Sequence, residues 1–130
     1  ALSSKMSCNL SKMFLLRKDF ISQMREDRPG SYPPLPLDLS KKESQQFCRD
    51  LALRGVEEMF EALQHLKNWK PHRITEFNEG PDRDEFLEEI VDALNYFFSL
   101  LISSGFDEED LIDAYKKKHS VIMSRLKEGY

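Results

Sequence analysis

Two acidic clusters, each beside an apolar helical stripe, contain the residues of this sequence that could do chemistry. The cluster EEMFE contains Glu58 and Glu61, and the cluster EIVD contains Glu89 and Asp92 at the same spacing of three. Residues three apart in an α-helix lie on one face, separated by about 60° around the axis. Each cluster therefore presents a pair of carboxylates on one side of its helix, at the border of the apolar stripe.

If the two helices pack antiparallel through their apolar stripes, the two pairs of carboxylates converge. Unpaired, these groups would repel one another and lose hydration. A hard divalent cation removes both penalties, because Mg²⁺ prefers carboxylate oxygens and water as ligands. We therefore expect a Mg²⁺ site, with Mn²⁺ as a substitute, that suits phosphate chemistry.

The structural alternative is that both clusters are solvated helix faces, since such short acidic motifs are common on helices. Glu57 and Glu88 fit that interpretation as surface charge. A di-iron centre is disfavoured, because such bundles use Glu-x-x-His whereas His65 follows Glu61 by four residues. We interpret His65 and His119 as surface or packing residues rather than ligands.

Length and composition indicate one domain, spanning residues 1–130, with room for a buried core. The net charge of −4 and the clustered acids argue against a nucleic-acid binder, which would present a basic face. No apolar run approaches the roughly 18 residues that a membrane span needs, and the opening residues lack the apolar region of a secretory signal. Cys8 and Cys48 match no disulfide or metal pattern. We expect an intracellular, cytoplasmic protein without a membrane or nucleic-acid partner.

Apolar periodicity, capping residues and helix breakers predict an all-α fold, a bundle of four to five helices. The four helices read directly are expected near 9–26, near 41–68, from Asp82 or Asp84 to about 103, and near 108–127. Ser40 and Glu43 have capping-box spacing for the second helix, and Gly55 within it marks either close packing or a break. Asp107 is the expected cap of the fourth helix. The prolines of 27–40 predict a loop there.

The order of the acidic motifs resembles the EExxE and ExxD signature of the all-α nucleoside triphosphate pyrophosphohydrolases, which comprise MazG-like proteins and dimeric all-α dUTPases. The segment 87–130 looks closest to the dUTPase branch, in which an acidic helix and a glycine turn precede Tyr-x-x-Lys, an arginine and a terminal Gly-Tyr. Those places are filled here by Tyr115, Lys118, Arg125, Gly129 and Tyr130. The stretch NWK at 68–70 is similar to a Trp-Lys stretch of the same branch.

The resemblance implies a Mg²⁺-dependent enzyme that hydrolyses a nucleoside triphosphate, dUTP first, to the monophosphate and pyrophosphate. The metal ligands it implies are Glu58, Glu61, Glu89 and Asp92, with Glu57 and Glu58 as catalytic residues. The substrate contacts it implies are Lys118, Arg125, Trp69, Lys70 and Tyr115. It also implies a homodimer, which the nearly all-round apolar surface of the third helix favours independently.

Simpler structural interpretations stand beside these substrate roles. A single tryptophan at a helix end, such as Trp69, often only packs, and Lys70 could lie in solvent. Lys118 and Arg125 would in any case complement the dipole at the end of a helix.

Three departures from the family pattern leave the preferred base open. Arg17 stands where the first helix of the family has a glutamine, and His119 and Ile122 stand where the last helix has asparagines. Because those positions serve the nucleoside in the family, uracil specificity does not follow from the resemblance. They also motivate a second hypothesis, a non-catalytic interaction or assembly module with the same fold.

Overall fold

The computed structural model describes residues 2–129, with side chains from residue 9 onward, and this part of the chain contains four α-helices and no strand. The helices are α1 (Leu2–Asp27), α2 (Lys42–Gln64), α3 (Arg83–Ser103) and α4 (Glu108–Lys127). The expected all-α class is confirmed. Among the described helices, none combines the length and the apolar character that crossing a membrane requires.

The termini of α3 and α4 follow the capping residues in the sequence. The backbone N–H of Glu85 donates to Oδ1 of Asp82 (3.2 Å), so Asp82 rather than Asp84 caps α3. Asp107 and Asp110 form a capping box at α4, each side chain accepting from the other's backbone N–H. Gly105, just past α3, has a φ of +89°, a conformation that favours glycine. These predicted boundaries are confirmed.

The predicted capping box of α2 is wrong. The residue at the cap position is Lys41, and no side chain caps the helix there. The hydroxyl of Ser40 donates instead to Oδ1 of Asp38 (2.7 Å), which also accepts from the Ser40 backbone N–H (3.0 Å). Because α2 starts at Lys42, Ser40 lies one residue before the cap position and takes part in a local turn with Asp38 instead. The predicted ends also shift, since α1 starts at Leu2 and α2 stops at Gln64, before Pro71 is reached.

Backbone packing divides the chain into two compact units. The first comprises residues 1–36 and 101–130. In it α1 packs against α4, and Oγ of Ser11 donates to Oε1 of Glu108 (3.1 Å). The interior of this unit contains the buried Phe14 and Ile21. No described residue of α4 is fully buried.

The second unit comprises residues 37–100 and contains α2 and most of α3. Its buried apolar residues are Leu37, Leu51, Ala62, Ala93 and Phe98. A Cβ atom at Gly55 would lie 2.8 Å from Cε1 of Phe97, so the glycine admits the phenyl ring against the backbone of α2. The glycine marks close packing inside an unbroken helix, one of the two outcomes expected for it.

Candidate metal site and adjoining loop

Helices α2 and α3 run antiparallel at the acidic clusters. Gly55 of α2 meets Phe97 of α3, whereas at the other end the carbonyl of His65 accepts from the backbone N–H of Asp82 (2.9 Å). Between these two contacts the stripes of both helices face each other. The acidic clusters border those stripes and are therefore brought to the same side of the helix pair.

Three of the four predicted carboxylates converge. Glu58, Glu61 and Glu89 each offer a carboxylate oxygen, and these atoms lie within 4.8 Å of one another. Glu58 and Glu89 are half-buried, and Glu61 is exposed. Three hard oxygen donors on an open face match the way proteins bind Mg²⁺, with water completing the coordination.

The electrostatics of Glu58 reflect this crowding. Its pKa is raised from 4.5 to about 7, first by partial burial, then by hydrogen bonds with Glu61 and Glu89, and then by the negative charges of Glu61 and Asp92. Glu58 thus holds a proton at pH values where an ordinary glutamate is ionised. A bound cation would replace that proton, so the donor set fits a divalent metal.

Asp92 and Glu57 occupy more exposed positions. Asp92 is not among the three converging carboxylates, but it lies near enough to raise the pKa of Glu58 through its charge. Glu57 is exposed on α2, next to Glu58 in the chain. The roles assigned to both residues stay predictions.

His65 lies beside the carboxylates, a position that the sequence reasoning did not assign to it. Its Nε2 atom is 3.9 Å from Oε1 of Glu89, and both side chains are half-buried. His65, Glu85 and Glu89 form a second group whose ligand atoms lie within 4.8 Å of one another. Glu89 is common to both groups. The available signal was the spacing of four between Glu61 and His65, which keeps the histidine on the acidic side of α2.

Trp69 and Lys70 line a pocket of about 280 Å³ in the loop between α2 and α3. The Trp69 ring contacts Phe60 of α2, with ring centroids 6.0 Å apart, and Nζ of Lys70 lies 5.6 Å from the centre of the Trp69 ring. Trp69 therefore packs against the helix and also lines the pocket, where its contact with a ligand stays a prediction. The sequence reasoning missed Arg73 and Phe77, which line the same pocket and whose only signal was a cation and an aromatic residue in a polar loop.

Tyr115, Lys118 and Arg125 lie on α4 and are exposed. They belong to the first compact unit, whereas the carboxylates belong to the second. His119 and Ile122 are exposed on the same helix, and Arg17 on α1 stacks its guanidinium 4.1 Å above the Phe20 ring. Tyr130 lies outside the described residues. The predicted phosphate contacts of α4 stay predictions.

Comparison with known proteins assigns no family. No family model matches the chain, and the searches of curated proteins and of solved structures find no match. The motif resemblance and the geometry of the acidic clusters are therefore the grounds for assigning a function.

Proposed function

We propose that this chain is a Mg²⁺-dependent nucleoside triphosphate pyrophosphohydrolase of the all-α MazG-like and dUTPase-like superfamily, with dUTP as the first substrate to test. The observation that supports the proposal best is the convergence of Glu58, Glu61 and Glu89, which come from the two separate acidic motifs. The raised pKa of Glu58 is a second support, because partial burial and the neighbouring carboxyl groups both disfavour the charge of Glu58, a penalty that a bound cation would remove.

In this proposal Glu58, Glu61, Glu89 and Asp92 would hold the metal. Mg²⁺ bound there would supply positive charge for the triphosphate oxygens and would acidify water. Glu57 orients the attacking water and accepts its proton. The water oxygen forms the new bond to the α-phosphorus, and the bond to the pyrophosphate leaving group breaks on the opposite side.

The family resemblance assigns further substrate contacts to side chains of α4. Lys118 and Arg125 bind phosphate oxygens, and Tyr115 contacts the substrate. Arginine can bind a phosphate through two parallel hydrogen bonds, which suits it to this role. Trp69 and Lys70 contact the substrate from the loop.

The test is to incubate the protein with dUTP and Mg²⁺ and to follow pyrophosphate release. Glu58→Gln should abolish turnover, because it removes a metal ligand at nearly constant shape. Glu88→Gln is the matched control, since Glu88 is exposed on α3 next to a proposed ligand and should keep full activity. The proposal fails if no deoxynucleoside or ribonucleoside triphosphate is hydrolysed with Mg²⁺ or Mn²⁺.

A second candidate function is a non-catalytic interaction module with the same fold. It is favoured by large apolar side chains on the surface of the first unit, among them Leu16 and Leu126, which are 70% and 58% exposed. Calorimetry with Mg²⁺ and a non-hydrolysable nucleotide separates the two functions. Tight metal-dependent nucleotide binding would contradict the interaction module. The absence of a binding signal with both Mg²⁺ and the nucleotide would favour it.

The proposal also includes a homodimer in the cytoplasm. Helix α4 packs on α1 but contains no fully buried residue among those described, so part of its apolar face is left for a second copy of the chain. Within the part of the chain whose side chains are described, Cys48 forms no disulfide, which fits a reducing compartment.

A further inference from the structure

The loop that follows α2 gathers cations and aromatic rings around one pocket. Its cavity of about 280 Å³ is lined by Gln64, Lys67, Trp69, Lys70, Arg73, Phe77 and Glu79. Gln64 follows Glu61 by one helical turn and therefore lies on the same side of α2. The pocket and the acidic cluster therefore belong to a single compact unit.

The backbone of this loop is held by side-chain hydrogen bonds. Nδ2 of Asn68 donates to the carbonyl of Phe77 (3.1 Å), and the backbone N–H of Phe77 donates to Oδ1 of Asn68 (2.8 Å). The side-chain amide of Asn68 therefore holds residues 68 and 77 together, and the segment between them carries Trp69, Lys70 and Arg73. Lys67, just before this segment, has a φ of +78°, an uncommon conformation for a residue other than glycine. The hydrogen bonds of Asn68 thus fix the ends of the backbone segment that carries the pocket residues.

The charge of the pocket is not balanced by carboxylates. Lys67 lies 3.9 Å from a carboxylate oxygen of Glu79. Within the described part of the chain, Lys70 and Arg73 form no ion pair and lie instead over the rings of Trp69 and Phe77, at 5.6 and 5.3 Å from the ring centres. Cations placed on aromatic faces stay available for an anion, because a ring does not neutralise them. The pocket therefore offers two positive groups next to two aromatic surfaces.

We propose that this pocket binds a nucleoside 5′-monophosphate, with the phosphate on Lys70 and Arg73 and the base against the Trp69 and Phe77 rings. The cavity lies at the small end of ligand pockets, which suits one nucleotide rather than a strand. Stacking on an aromatic face tolerates any base. This inference rests on the proposed function. It adds the place where the nucleotide part of the substrate and of the product binds. It assigns roles to Arg73 and Phe77 and requires no metal.

The test uses the single tryptophan of the sequence, Trp69, as a reporter at the site. The full chain is titrated with dUMP in EDTA, and tryptophan fluorescence is followed. We expect saturable quenching, with deoxyuridine and inorganic phosphate each binding more weakly than dUMP. Arg73→Gln should weaken dUMP binding about tenfold or more, because it removes a charge-assisted contact. Arg54→Gln, which changes an exposed arginine of α2 outside the pocket, should bind dUMP like the wild type.

A second variant is measured by calorimetry, so that a change in dUMP binding is not confused with a change in fluorescence. Phe77→Leu should weaken dUMP binding measured by calorimetry and leave phosphate binding unchanged, with folding checked by circular dichroism. The inference is overturned if dUMP does not quench, if Arg73→Gln binds dUMP normally, if binding requires Mg²⁺, or if an oligothymidylate binds more tightly than dUMP.

The two proposals fail separately. Because EDTA excludes turnover, dUMP binding without any triphosphate hydrolysis would leave this pocket intact and overturn the enzyme. Hydrolysis by the wild type, with no dUMP binding in EDTA, would overturn the pocket and keep the enzyme.

Discussion

Glu58 of α2 and Glu89 of α3 bring carboxylate oxygens from the two acidic motifs within 4.8 Å of each other. Two carboxylates at this distance repel each other when both are ionised, so a proton on one of them relieves the repulsion. Glu58 is the group whose pKa is raised, to about 7.

The first prediction follows from that shift and concerns the metal-free protein. Because Glu58 titrates near 4.5 when unfolded and near 7 when folded, the folded state binds more protons between these values. The stability contributed by this group is fully present below pH 4.5 and is lost as the pH rises through about 7. Thermal unfolding in EDTA should show this loss, and Glu58→Gln should remove it. A wild-type slope that Glu58→Gln leaves unchanged would contradict the assignment.

The second prediction separates catalysis from folding at Asp92. Asp92→Asn removes one of the charges that act on Glu58, so the metal-free variant should melt at the same or a higher temperature. It should lose most of the stabilisation that saturating Mg²⁺ gives the wild type, because that gain comes from binding to the folded state. Activity should fall by orders of magnitude.

Melting curves with and without Mg²⁺ and pyrophosphate release check this expectation, with Glu88→Gln as the control. If the clusters are only solvated helix faces, Asp92→Asn should melt like the wild type under both conditions, since exposed charge pairs contribute about 0–1 kcal/mol. A clearly destabilised metal-free variant would instead make Asp92 a structural residue.

The third prediction tests the contact that sets the distance between α2 and α3. Gly55→Ala should gain about 1 kcal/mol of helix propensity. It should lose about 1–3 kcal/mol because the new methyl group meets the Phe97 ring, and a net destabilisation should result. Chemical denaturation measures the change in the free energy of unfolding. Gly80→Ala, which meets no atom within 4 Å, should be near neutral. A Gly55→Ala variant more stable than the wild type would show that the ring moves away freely.

The fourth prediction concerns assembly. Tyr115, Ile122 and Leu126 share one face of α4 and are 74%, 42% and 58% exposed. We expect light scattering at micromolar concentration to give twice the mass of the chain, and Ile122→Glu to lower it. Ile74→Glu, at a loop position that is 97% exposed, should leave the mass unchanged. A wild-type mass equal to that of one chain would contradict the dimer.

Local signals predicted the helices well because the interactions that end a helix lie within a few residues. Asp107 needs only Asp110 to cap α4, and both are visible in the sequence. Ser40 fails because α2 starts at Lys42, which puts Lys41 at the cap position and Ser40 one residue outside it. Sequence spacing showed that the serine was suitable as a cap, but not at which residue the helix would start.

The acidic cluster was predictable because helical periodicity fixes which residues share a face. Once α2 and α3 pack through their apolar stripes, Glu58, Glu61 and Glu89 meet, whereas Asp92, predicted by the same periodicity, stays outside the group. The pocket was not predictable in the same way. Arg73 and Phe77 lie in a loop without periodicity, and their positions depend on the hydrogen bonds between Asn68 and Phe77.

The two hydrogen bonds between Asn68 and Phe77 fix the ends of the segment 69–76, so this segment can be exchanged as a unit. Its ends are tied to each other, and Ile74 near its middle is almost wholly exposed. Doubling the length of a flexible loop costs only about 0.6 kcal/mol, so extra residues at Ile74 should leave the two helices in place. Ligand preference could therefore be redesigned, or could diverge in evolution, by exchanging this short segment while the carboxylate framework is inherited unchanged.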